Sequence, residues 1–230
     1  MQKGGVMRRV FSVKRLVFCI MILGVLFCNV GFAFDDGDFQ YWNNEVVSLK
    51  INEDWEASFE EEFRLGDNGG NLYYQHSDWG VTYSGVAEWL DLGVFYRHIF
   101  EKKDSKWRRE NRPHLDAAVK WELFDCAMSN RGRFEYRNRE DAEDFWQYRN
   151  KFTMKLPFKF TKVQIQPYIA DEIFIDFDEE RLNRNRLYSG FSMKLTKNLK
   201  GEIFYLWQRS KKDDKWSGLN VLGTKLKLSF

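Results

Sequence analysis

Proline and histidine are scarce in this chain, with three of each among 230 residues. Proline cannot donate to a sheet ladder, so its rarity leaves room for long uninterrupted strands. Three scattered histidines with so little cysteine offer no zinc-ligand spacing, and no metal or other cofactor is expected. Cys19 and Cys28 fall in an N-terminal leader, leaving Cys126 alone, so the remaining chain cannot form an intrachain disulfide. Beyond that leader there is no apolar run long enough for a helical membrane span, and mean hydropathy is negative. Neither absence excludes a membrane, because a barrel strand needs only about ten residues and turns every second one away from lipid.

The leader is read from its composition. Lys3, Arg8, Arg9, Lys14 and Arg15 precede an apolar run over 16–30, and Gly31 and Ala33 supply small residues before a cut after Ala33. This pattern predicts a cleaved secretory signal over 1–33 and a single domain over 34–230. Cys28 does not make it a lipoprotein signal, since the preceding Phe27 is too bulky for that processing. The leader holds five of the 36 basic residues and no acidic one. The remainder therefore has 31 basic residues against 34 acidic, a formal net charge of −3. A nucleic-acid partner expected from basicity falls away with it.

What the chain does have is aromatic residues and alternation. Aromatics make up 17% of it, with nine Trp, ten Tyr and twenty-one Phe, a composition suited to the aromatic girdles of a transmembrane barrel. Its last stretch sets Leu222, Thr224, Leu226, Leu228 and Phe230 on one face of a strand and Gly223, Lys225, Lys227 and Ser229 on the other. A final amphipathic strand ending on an aromatic resembles the closing strand of Gram-negative outer-membrane barrels. Leu222, Leu226, Leu228 and Phe230 are its expected lipid-facing residues, and recognition by the outer-membrane insertion machinery is expected through this strand.

Period-2 segments recur over 39–51, 55–65, 72–84, 89–101, 112–123, 130–139, 145–156, 163–175, 184–195, 199–209 and 219–230. Short connections at 52–54, 85–88, 157–162 and 196–198 alternate with longer charged ones at 102–110, 176–183 and 210–218, the rim asymmetry of an outer-membrane barrel. The predicted fold is an all-β, antiparallel up-and-down transmembrane barrel. Eleven segments conflict with the even counts of bacterial single-chain barrels, so ten to twelve strands are expected, with twelve preferred. Glu61 and Asp171 interrupt apolar faces. They are expected near a rim or a bulge, with Pro167 a bulge marker.

The face opposite the apolar one is strongly ionic, and its expected lumen-lining residues are Glu60, Glu62, Arg112, His114, Asp116, Arg133, Arg137 and Arg149. Acids on early strands would then lie across from an arginine-rich wall. One outcome is a salt-bridged plug; the other is a transverse field that selects small charged solutes. His114 and Asp116 share a strand face and are the candidates for general-base chemistry, but no serine joins them there. The basic run Lys102, Lys103, Lys106, Arg108 and Arg109, with Trp107, suits contact with lipopolysaccharide phosphates. The acidic loop Asp176, Asp178, Glu179, Glu180 lacks the glycine-turned spacing of a calcium-binding EF-hand loop.

Six stretches occur together in order: EEEFRLGD (60–67), ENRPHL (110–115), RFEYRNRED (133–141), NRNRLYSGF (183–191), LTKNLKGEIFYLWQ (195–208) and NVLGTKLKLSF (220–230). In combination they resemble the bacterial family catalogued as domain of unknown function 2490. The resemblance implies an exported outer-membrane barrel and brings no activity, substrate or catalytic residue. The function expected is therefore that of a monomeric outer-membrane barrel, structural or a narrow passive channel for small polar or charged solutes, in contact with membrane lipids and lipopolysaccharide. The alternatives are an outer-membrane enzyme acting on lipid or lipopolysaccharide, and a soluble periplasmic β-barrel that binds an apolar ligand.

Overall fold

The computed structural model describes residues 37–103, 105–140, 142–179, 181–212 and 215–230. The expected signal over 1–33 lies outside them. Eleven strands follow in chain order: β1 (Phe39–Lys50), β2 (Trp55–Gly66), β3 (Asn71–Ala87), β4 (Leu90–Lys103), β5 (Lys106–Leu123), β6 (Cys126–Arg139), β7 (Phe145–Lys155), β8 (Gln166–Asp176), β9 (Arg181–Lys194), β10 (Leu199–Lys212) and β11 (Lys215–Ser229). Each pairs with its chain neighbours, and β1 pairs with β11, so the sheet closes into a barrel. Closure satisfies every ladder and removes the free edges an open sheet would expose.

The count is eleven, not twelve. An up-and-down chain with an even number of strands closes antiparallel, whereas an odd number forces the first and last strands to run the same way. Here β1 and β11 are parallel, in register from Phe39↔Asn220 to Ser48↔Ser229, while all other pairs are antiparallel. The terminal residue fastens this seam: Phe230 donates its N–H to the Ser48 carbonyl and accepts from the Lys50 N–H, both at 3.0 Å. The first segment is thus one strand, and the parity conflict is resolved by a parallel seam.

The expected loop asymmetry is absent. Strands continue through the charged stretches, so that β4 and β5 are separated only by 104–105, β8 and β9 by 177–180, and β10 and β11 by 213–214. The longest connection, 156–165, lies on the rim that carries Phe230. Charged side chains on both faces read as loop in a sequence, yet a hairpin standing in water accepts them equally well. Pro167 sits near the start of β8 without a bulge; the register shift of that strand falls at Phe174/Ile175. Glu61 and Asp171 are mid-strand on the outer face, where Ser77 Oγ donates to Glu61 at 2.5 Å and Asn185 Nδ2 to Asp171 at 2.6 Å.

The barrel interior holds two kinds of filling. Along β8–β11 and β1, Trp42, Tyr168, Ala170, Tyr188, Leu206 and Val221 form a buried apolar cluster, with Phe204 packed against it. Phe204 is paired with Gly190 on one side and Gly223 on the other, and a Cβ at Gly223 would stand 2.1 Å from its ring. The glycines thus make room for a ring lying against the backbone. Along β2–β7 the interior is polar. The outer face is the apolar one: Val47, Phe59, Val94, Leu115, Ile169, Leu187, Ile203 and Leu222 are exposed there.

One turn breaks the usual chemistry. Phe124 and Asp125, the whole link between β5 and β6, both have positive φ, at 52° and 62°. Two-residue hairpin turns of this kind favour Asn-Gly because a bulky side chain is strained at positive φ. The double substitution Phe124→Asn, Asp125→Gly should therefore stabilise the barrel by about 1 kcal/mol. A raised denaturant midpoint at unchanged slope is the expected result; a lowered midpoint would show that the turn is not strained.

Candidate functional site

The site is the ionic half of the interior, built by the inward faces of β2–β7 with Glu172 of β8 and Arg186 of β9 reaching in beside them. Alternation dictates the placement. On β6 the inward residues Arg131, Arg133, Glu135, Arg137 and Arg139 alternate with Gly132, Phe134 and Tyr136, and on β5 the inward residues Glu110, Arg112, His114 and Asp116 alternate with Asn111, Leu115 and Ala117. All eight expected lining residues, Glu60, Glu62, Arg112, His114, Asp116, Arg133, Arg137 and Arg149, point to this interior. Leu222, Leu226 and Phe230 are exposed on the outside of β11, and Leu228 shares their face.

The charges pair sideways, between strands one or two places apart round the barrel, instead of forming an acidic wall opposite a basic one. Arg133 grips Asp116 through Nε and a terminal nitrogen at 2.7 and 2.8 Å. Arg137 does the same to Glu110 at 2.7 and 2.8 Å, and Glu110 also accepts from Arg112. Glu135 is shared by Arg112 and Arg149 at 3.2 and 2.9 Å. Glu172 takes Arg149 at 2.7 Å, Arg131 at 3.3 Å and the Tyr188 hydroxyl at 2.8 Å. On β3, Asp78 pairs with Arg97 at 2.6 Å, while Glu60 of β2 meets Lys225 of β11 at 3.3 Å and Arg97 at 3.7 Å. One network therefore runs from the closing strand round to β9.

This network also decides what the histidines do. His114 lies between two carboxylates, 3.2 Å from Asp78 and 3.1 Å from Asp116, with its ring stacked on Phe95. It is 3% exposed, and both ring nitrogens are engaged inside the barrel. Glu60, Glu62 and His76 place ligand atoms within 4.8 Å of one another, the only such trio among the described residues that the donor geometry singles out. Their carboxylates are already met by Lys225, Arg97 and Arg64, so the cluster is charge-compensated without a metal.

Asp78, Arg97, Glu172 and Arg186 are central members that pattern reading did not single out. Each occupies an inward parity, but the inner faces of β8 and β9 also carry Tyr168, Ala170, Phe174 and Tyr188. A mixed face of that kind gives no ionic stripe to notice.

A family model described as "Protein of unknown function (DUF2490)" matches residues 39–218. The chain belongs to this family. The DUF2490 match begins with the first residue of β1 and ends at Gly218 inside β11, so the amphipathic half of the closing strand lies beyond it. No curated protein and no solved structure matches the chain.

Removing one member should cost far more here than at a rim. Glu172→Ala leaves a solvent-free cluster of arginines short of a charge and is expected to destabilise the fold by about 3–5 kcal/mol. Glu179→Ala removes an exposed pair with Arg181 and should cost less than about 1 kcal/mol. Denaturant unfolding of both variants checks this, and equal midpoints would show that the network carries no weight in the fold.

Proposed function

We propose that this DUF2490 protein is an outer-membrane β-barrel with a structural role, closed along its axis by its own ion pairs. The observation that carries the reading is its reversed polarity: large apolar side chains cover the outside, while Glu135, Glu172, Arg133 and Arg149 are buried within. Water-facing proteins rarely expose contiguous apolar surfaces of this extent, whereas lipid requires them. Aromatic residues add support by their position. Trp55, Trp89 and Trp121 are exposed toward the Phe230 rim, and Trp107, Trp146 and Trp207 toward the other, as two interfacial girdles would be.

Strands of 11 to 18 residues are long enough to span. Their surplus, including Lys102, Lys103, Lys106 and Trp107, forms hairpin ends suited to lipopolysaccharide phosphates. The exposed face of β11, with Phe230 at its end, suits docking to the insertion machinery.

The structural role is preferred to conduction because Glu135 is 0% and Glu172 is 1% exposed, which places paired charge where a water path would run. The enclosure of His114 lends no support to an enzyme acting on lipid. A charged lining likewise does not suit an apolar ligand in a soluble barrel.

Two measurements test the proposal. Lipid-borne bromine quenchers should dim the fluorescence of the outward tryptophans in reconstituted protein, while a variant keeping only the interior Trp42 stays bright; a detergent-independent protein with no quenching overturns the membrane reading. Planar bilayers containing the purified barrel should give a flat current trace. Discrete steps whose ion selectivity changes with Arg133→Glu would establish the narrow channel instead.

A further inference from the structure

At the rim opposite Phe230 the ionic network opens into a cavity of about 390 Å³. Nine cationic side chains line it against six carboxylates. Most of the cations are already spoken for. Arg112 and Arg137 share Glu110, Arg149 is held by Glu135 and Glu172, and Arg97 by Asp78.

Arg184 is the exception. Among the described residues its guanidinium has no hydrogen-bond or ion-pair partner, and its Nε is buried with nothing to donate to. Its guanidinium carbon lies 5.2 Å from the centre of the Phe174 ring. Arg186, Arg137, Arg64 and Arg112 line the cavity with it and surround it with like charge. A second unsatisfied donor lines the same cavity: the Nε of Arg149, a residue 7% exposed. Arg139, also in the lining, spends its guanidinium on the Glu143 carbonyl and forms no ion pair with a carboxylate among the described residues.

Buried donors without acceptors are costly, and an arginine crowded by arginines is costlier still. An anion in the cavity would supply the missing acceptors. Guanidinium groups present planar forks that match a tetrahedral oxyanion. The cavity has the liquid volume of about a dozen waters, room for a phosphate with part of the group that bears it.

We infer that this cup is a binding site for a phosphate group, with Arg184 as its principal ligand and Arg149 and Arg139 beside it. The phosphate is either free in solution or carried on a lipid headgroup. The inference rests on the barrel and its arginines and not on where the barrel resides.

The test uses the full chain in a phosphate-free detergent and reads its thermal midpoint. Inorganic phosphate at millimolar concentration should raise the midpoint by about 2–4 °C over sodium chloride of equal ionic strength. Arg184→Gln should abolish that rise. The same substitution should raise the midpoint of the unliganded protein, because it removes a repelled charge; an arginine that merely supports the fold would lower it. Lys227→Gln, which breaks a pair with Glu56 at the far rim, should leave the phosphate response intact.

Mixed micelles containing phosphatidic acid form the second arm. A rise with both ligands, or with phosphatidic acid alone, that is lost in Arg184→Gln supports the site, and the second pattern assigns the phosphate to a membrane lipid. A midpoint that neither inorganic phosphate nor phosphatidic acid raises beyond the chloride control, or a rise that survives Arg184→Gln, overturns it. Far-UV circular dichroism of the variant confirms that a lost response is read on a folded barrel. Should the chain prove soluble, the phosphate arm still stands or falls by itself.

Discussion

Compensation of charge inside a closed sheet governs this molecule. Glu135 and Glu172 sit where solvent does not reach, and each is shared among arginines from more than one strand. An isolated carboxylate there would be expensive, and so would an isolated guanidinium. Together they are tolerable only while the strands hold their register. A shift of one residue would turn every paired side chain outward and every apolar one inward. Register, polarity and interior packing are therefore one constraint seen from three sides.

The two halves of the interior divide the labour of filling it. Trp42, Tyr188 and Leu206 occupy space with hydrocarbon, while the β2–β7 side occupies it with ion pairs. They meet through stacking: Arg64 lies 3.8 Å over the Trp42 ring, and Arg186 lies against both Trp42 and Phe174. An arginine has a charged edge and a flat face that packs like an aromatic, and this lets one side chain belong to both halves. Lysine in those positions would serve the network and leave the packing unsupported.

Much of this was legible in alternation. Side-chain parity located all eleven strands and put Glu60, Arg112, His114, Arg133 and Arg149 on the inner face, because a period of two leaves only one choice once the apolar face is known. The Phe124–Asp125 turn was hidden, since it lacks the Asn-Gly signature its geometry prefers. Strand ends at Lys106 and Lys215 were hidden as well, because charge on both faces looks the same in a hairpin and a loop. The lateral pairing of Asp116 with Arg133 depends on stagger between strands, which composition does not encode. Arg184 was unreadable for a related reason: a missing partner is a property of three-dimensional neighbours.

The odd number of strands carries a consequence for assembly. Its seam joins residues that are among the most distant in the chain, so it cannot zip until every hairpin between them has formed. Parallel ladders are also slightly weaker per residue than antiparallel ones. A nascent sheet that pauses before this final step presents two bare edges, β1 and β11, of matching direction and sequence in every copy. Rows of unpaired backbone groups are templates for intermolecular pairing, so the interval before closure is when one copy is most exposed to capture by another. Once the seam has closed, the backbone clamp from Phe230 to Ser48 and Lys50 holds those edges together.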